Sequence, residues 1–139
     1  MAEEAGAVLE DQDLEDGIIR YDAEYHMWIR VQDELATVGI TDYAQGQLNE
    51  ITYVELPEVD TELDRGDFLG TVEALKTNVD ILAPISGTVV EANEELLDEP
   101  VLVNSSPYEE GWFVRIQMTD PSELEELITG AEYREKLAA

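Results

Sequence analysis

The chain has 139 residues, 44% of them apolar, which is enough for one domain with a real core and too short for a two-domain enzyme. Thirty-four acidic against seven basic side chains give a formal net charge of -27. Such a field repels phosphate backbones and anionic lipid, and so excludes direct binding to nucleic acid or to a membrane surface. With no cysteine and a single histidine there is no disulfide, no thiolate metal site, no thiol nucleophile and no histidine-rich metal centre. Any sulfur chemistry has to be imported.

Residues 1–16 carry seven carboxylates, no basic group and few large apolar side chains. That composition predicts a flexible acidic segment, with the folded domain over 17–139. The N-terminus lacks the basic start and apolar centre of a signal peptide, and no window approaches the run of about 20 apolar residues that spans a bilayer, so a cytoplasmic protein is expected. From Ile18 onward short apolar runs are broken by turn residues: Tyr25–Val31, Leu35–Ile40, Ile51–Leu56, Phe68–Val72, Ile81–Ile85, Thr88–Ala92 and Trp112–Met118. Short runs rich in Val, Ile, Thr and aromatics predict strands of a sandwich or barrel.

Two stretches predict helix. Thr41 caps a short one through Leu48, with Tyr43, Ala44 and Leu48 on one side. Asp120 as cap, Pro121 in the first helical position and Glu123 three residues after the cap start another, whose Leu124, Leu127 and Ile128 form an apolar stripe. A last turn or two over Ala131–Leu137 packs back on the body. The expected class is mainly β with these helical attachments.

Lysine is scarce: Lys76 and Lys136 stand beside five arginines, and residues 66–114 hold no arginine. Gly-Thr-Val-Glu-Ala-Leu before Lys76 and Val-Asp-Ile-Leu-Ala-Pro after it read as two arms of a hairpin, with the lysine at the outermost turn. Leu63-Asp64-Arg65-Gly66-Asp67 ahead of one arm and Ile85-Ser86-Gly87 behind the other form a weak internal echo. A lysine at a hairpin tip is ordinarily a solvated edge charge. In a chain this poor in lysine, its retention here calls for a further reason.

Val72-Glu73-Ala74-Leu75-Lys76 followed by Asp80-Ile81-Leu82-Ala83-Pro84-Ile85-Ser86-Gly87 resembles the lipoyl-lysine hairpin of the glycine cleavage system H protein family. Val38 to Gln45, Tyr53 to Val59, Leu102 to Tyr108 and Gly111-Trp112 resemble further family segments in family order, so the likeness covers about 18–137. It implies a lipoyl-type barrel-sandwich hybrid and a carrier that serves partner enzymes as a substrate and catalyses nothing itself. Lys76 is then amide-linked to lipoic acid, with Glu73 and Asp80 flanking the tip for ligase recognition and arm positioning. Biotinyl carriers share such a fold but flank the lysine with methionines, whereas Lys76 lies between Leu75 and Thr77.

The sequence also departs from the family pattern. Where H proteins carry His-Glu-Trp, this chain has His26-Met27-Trp28, with Tyr25 in place of a smaller residue. The resemblance implies that the family's glutamate helps to hold the amine of an aminomethyl-loaded arm, a contact methionine cannot make. Asp80 matches the family's other acidic contact, and His26 joins Lys76, Glu73 and Asp80 as a candidate of the cofactor site, although a lone histidine beside Trp28 is a packed, hydrogen-bonded residue by default. Two cargoes follow. One is the aminomethyl group of glycine cleavage, passed between glycine decarboxylase, aminomethyltransferase and dihydrolipoamide dehydrogenase after loading by lipoate ligase or lipoyl transferase. The other is sulfur, carried by a divergent H-like lipoate-binding protein for a heterodisulfide-reductase-like complex, and the missing carboxylate at residue 27 tips the sequence toward it.

The charge makes a prediction of its own. Self-repulsion opposes folding in dilute buffer, while molar salt shortens the Debye length to about 3 Å. The melting temperature is expected to rise between dilute buffer and molar potassium chloride, as in a salt-adapted protein; a flat or falling profile by calorimetry would remove that reading.

Overall fold

The computed structural model describes residues 18–75 and 77–138. The acidic segment 1–16 and Lys76 therefore lie outside the described residues. Among the described residues nine strands form two antiparallel sheets, neither closed into a barrel. The larger is ordered β1 (Ile18–Asp22), β2 (Met27–Gln32), β3 (Leu35–Ile40), β9 (Val114–Met118), β8 (Gly87–Ala92) and β5 (Glu62–Leu63). The smaller is β4 (Ile51–Glu55), β6 (Phe68–Ala74) and β7 (Asn78–Leu82). Four α-helices complete the described chain: α1 (Asp42–Leu48), α2 (Glu95–Asp98), α3 (Leu102–Ser105) and α4 (Gly130–Ala138).

Side-chain alternation along β2 explains the layering, because successive residues on a strand face opposite ways. Met27 and Ile29 enter the main core, which gathers Val38, Val89 and Ile116 from the large sheet and Val54, Val72 and Ile81 from the small one. Trp28 faces the other way, into a second cluster with Ile19, Tyr21, Tyr108 and Tyr133. There α4 closes over the back of the sheet, and Tyr133 stacks on Tyr21 with ring centroids 5.0 Å apart. The Trp28 indole N–H donates to the Pro107 carbonyl at 2.8 Å, so its polar edge is satisfied while fully buried. Met27 and Trp28 are thus chain neighbours in different cores.

Several boundaries differ from the sequence expectation, each for a visible reason. Tyr25 and His26 belong to the turn before β2, because the buried Asp22 carboxylate accepts from the Glu24 and Tyr25 amides and ends β1 in a turn. The run Ile81–Ile85 leaves the strand after Leu82, yet Ala83 and Ile85 remain buried as an apolar corner. After its Asp120 cap the chain forms a 3-10 helix over Pro121–Glu126 and no α-helix. Leu127 and Ile128 then run extended: Leu127 joins the main core, while Ile128 packs on the second cluster and exchanges backbone hydrogen bonds with Tyr21. A helical stripe would have sent both to one side. The strands β1 and β5 and the one-turn helices α2 and α3 were not foreseen, being too short or too polar to show a period.

The small sheet packs closely at Gly70 of β6, where a register irregularity lies between Phe68 and Gly70. A Cβ there would collide with the Glu55 carbonyl oxygen of β4. Gly70→Ala is accordingly expected to cost about 1–3 kcal/mol, as overpacking against rigid backbone does, measured by urea unfolding.

Candidate functional site

The β6–β7 hairpin is tightly braced up to its tip. Glu73 pairs with Asn78 in register, and the Ala74 amide donates to the Thr77 carbonyl at 2.8 Å to close the turn. The Leu75 amide reaches the Glu50 carbonyl at 3.3 Å, and the Thr52 hydroxyl donates to the Glu73 carbonyl at 3.2 Å, so the start of β4 holds the same tip from the other side. Leu75 is 67% exposed, which leaves the turn open to a partner. Lys76 occupies this turn in the sequence.

Beside the hairpin lies a cleft of about 310 Å³. One wall is β7, from Val79 to Leu82; another is α1, through Tyr43, Ala44, Gln47 and Leu48; the third is the turn Glu24, Tyr25 and His26. The Thr41 hydroxyl caps α1 by accepting from the Ala44 amide at 3.2 Å, as its sequence predicted. The helix side foreseen as apolar is therefore the side that lines the cleft.

His26 is set into this wall with a left-handed backbone, φ 56°, a conformation uncommon for a residue with a side chain and a frequent mark of functional sites. Its Nδ1 lies 2.7 Å from the Tyr133 hydroxyl, which is itself 2.9 Å from the Thr41 hydroxyl, and its ring lies 4.8 Å from that of Tyr43. Burial lowers the His26 pKa from its ordinary 6.5 against the opposing pull of Asp22, and burial pushes the Tyr133 hydroxyl up to about 12. At neutral pH the pair is a neutral imidazole hydrogen-bonded to a neutral phenol.

The turn is anchored from behind. Asp22 also accepts from the Arg65 guanidinium at 2.7 Å, and Arg65 lies over the Tyr25 ring at 5.3 Å. The Arg65 amide donates to the Ser86 hydroxyl at 2.9 Å, while the Ser86 hydroxyl and amide each donate to Glu123 at 2.7 Å. The two turns that echo each other in the sequence thus meet in space. Gly66, at φ +94°, supplies the left-handed turn between them, its amide bonded to the Ala83 carbonyl.

The sequence model of the family described as Glycine cleavage H-protein matches residues 19–139. The chain belongs to the glycine cleavage H-protein family. It is 48% identical over 132 residues to glycine cleavage system H protein 4 of Aquifex aeolicus, covering 93% of this chain and 77% of that one. It is 52% identical over 112 residues to the glycine cleavage system H protein of a Staphylococcus epidermidis strain, covering 81% of this chain and 89% of that one. The crystal structure of a glycine cleavage system H protein from Mycobacterium marinum superposes with a TM-score of 0.82 at 33% identity, over 95% of this chain and 100% of that one. Members of this family are lipoyl carriers. Among the described residues no helix is long and apolar enough to cross a membrane.

The residues singled out from the sequence separate in the structure. Asp80 and His26 line the cleft; Glu73 is partly buried on β6, opposite Asn78, and does not. Met27 is fully buried in the main core, so the residue expected to decide the cargo is absent from the cleft wall. Glu24 and the Asp22–Arg65 pair escaped sequence reasoning, and Tyr25 entered it only as a departure from the family pattern; an aspartate two residues ahead of a polar turn was the available signal.

The lowered His26 pKa sets a direction for stability. The unfolded chain binds the proton more readily, so the stability due to neutral His26 is present above about pH 6.5 and lost as pH falls through the lower folded value. Ring titration by NMR is expected to give a midpoint below 6.5, and His26→Gln to flatten the acid limb of stability against pH.

Proposed function

We propose that Lys76 carries lipoic acid in amide linkage and that the chain takes an aminomethyl group from glycine decarboxylase to aminomethyltransferase, with dihydrolipoamide dehydrogenase restoring the disulfide. The observation that carries this reading is the braced β6–β7 turn: strand pairing runs from Phe68–Leu82 up to Glu73–Asn78, and the one lysine between the arms falls at its open end. A lysine ammonium, with reference pKa about 10.4, does no chemistry unaided at neutral pH. The attached dithiolane supplies the thiol–disulfide exchange that a cysteine-free chain lacks.

The protein's own residues do the positioning. The Ala74–Thr77 and Leu75–Glu50 hydrogen bonds fix where the attachment point is presented, and the exposed Leu75 and Thr77 leave room for lipoate ligase or lipoyl transferase. Glu73, at the last paired row before the tip, is suited to being read by that enzyme. The cleft suits the arm: Ile40, Leu48, Val79 and Ile81 offer apolar surface, and Tyr25 and Tyr43 offer rings. A tethered arm raises the local concentration of its cargo wherever a partner's site lies within reach, which is how a non-catalytic chain connects several enzymes.

Sequence reasoning leaned toward sulfur cargo and a heterodisulfide-reductase-like complex because residue 27 lacks a carboxylate. The named relatives favour glycine cleavage instead, and nothing in them supports the sulfur reading. With Met27 inside the core, its side chain says nothing about what the cleft accepts.

After expression with lipoate ligase, peptide mass mapping is expected to place one lipoyl adduct on Lys76. Lys76→Arg should abolish both the adduct and acceptance of carbon from glycine decarboxylase, whereas Lys136→Arg should change neither. An adduct confined to Lys136 would overturn the assignment.

A further inference from the structure

The strand pairing that braces the β6–β7 turn is interrupted on its β4 side. Ile51 pairs with Ala74, but the register shifts between Ile51 and Tyr53, so the row next to the tip is cut off from the regular pairing of Tyr53–Glu73, Val54–Val72 and Glu55–Thr71. An irregularity of this kind locally breaks the ladder. Glu50 and Ile51 therefore need a hold of their own, because the Glu50 carbonyl accepts from the Leu75 amide and Ile51 faces Ala74 at the base of the turn.

Asn104, on the one-turn helix α3, supplies that hold. Its Oδ1 accepts from the Ile51 amide at 2.9 Å, and its Nδ2 donates to Gln45 Oε1 and to the Asn49 carbonyl, each at 2.7 Å. Chemistry dictates this orientation: a backbone N–H only donates and a carbonyl only accepts, so an asparagine satisfies both and a carboxylate does not. The helix that carries Asn104 is itself fixed, since Val103 is fully buried in the main core and the Ser106 carbonyl accepts from the Gly111 amide at 2.7 Å. Asn49, with φ 64°, lies where the chain leaves α1, a wall of the cleft, and enters β4, the support of the tip. One side chain thus ties the cleft wall and the base of the turn to the core.

We propose that Asn104 is a positioning residue for the attachment turn: by clamping Asn49 and Ile51 it holds the turn in which Lys76 falls in one pose relative to α1, and so sets how a modifying enzyme meets that lysine. This rests on the reading of Lys76 as the lipoyl site. An enzyme that binds only the clamped pose meets an affinity reduced by the fraction of chains that keep it. Loosening the clamp therefore raises the KM of that enzyme for the chain and leaves kcat at saturation unchanged.

The test uses the full chain before lipoylation. Asn104→Asp keeps the side-chain shape and the bond from Ile51 but sets a carboxylate oxygen against the Asn49 carbonyl. With lipoate ligase, the KM for this variant is expected to rise about fivefold at unchanged kcat. Hydrogen exchange followed by NMR gives a readout that needs no ligase: the Ala74 and Leu75 amides are expected to exchange about tenfold faster, while those of Ile29 and Ile116 in the large sheet keep their wild-type rates, as a general loss of stability would not allow. Asn104→Ala, whose half-buried position water can enter, carries the same expectations if Asn104→Asp does not melt cooperatively. Wild-type exchange at Ala74 and Leu75, or a wild-type KM, in a folded variant overturns the proposal and leaves the carrier reading intact. A wild-type chain that the ligase leaves unmodified at Lys76 overturns the carrier reading and this proposal with it.

Discussion

The buried carboxylate of Asp22 is the interaction on which the site depends. It is 2% exposed and satisfies two turn amides with one oxygen and the Arg65 guanidinium with the other. Removing one partner of a buried ion pair costs about 3–5 kcal/mol, because the other is left charged and unpaired. Here the pair also sets geometry. Glu24, Tyr25 and His26 hang between Asp22 and β2, so the cleft wall keeps its shape only while that carboxylate holds the turn. Arg65 then passes the constraint on, through Ser86, to Glu123 of the 3-10 helix.

The double-sided burial of β2 gives this turn something rigid to lean on. One face of the strand builds the main core and the other builds the tyrosine-rich cluster under α4. Tyr133 ties the second cluster to the cleft, because the ring that stacks on Tyr21 carries the hydroxyl that meets His26 and Thr41. The C-terminal helix therefore contributes to a site far from it in sequence. The left-handed backbone of His26 is tolerated because its carbonyl accepts from the Thr41 amide and its ring is held on both sides.

Carrier function asks for two mechanical properties that the small sheet supplies. A turn that presents a carrier's arm must be open to several enzymes in succession, and the β6–β7 turn is exposed at Leu75 and Thr77. It must also be presented reproducibly, and the hydrogen bonds from Leu75 and Thr52 to the β4 side and the tip do this without closing the turn.

Much of this was legible in the sequence. The alternation of apolar runs placed seven strands to within a few residues, and Thr41 announced α1 together with the side that lines the cleft. The hairpin arms around Lys76 were legible because strand period and turn residues are local signals. Tertiary structure alone decided the rest. Nothing local separates Met27 from Trp28, yet the pleat sends them to opposite cores and takes residue 27 out of the cleft. Nothing local distinguishes Leu127 and Ile128 from a helical stripe, because only the positions of the two cores make them diverge. Glu24 is one carboxylate among thirty-four in the sequence. It joins the cleft lining only when Asp22, Arg65 and Ser86, far apart in the chain, come together and hold its turn.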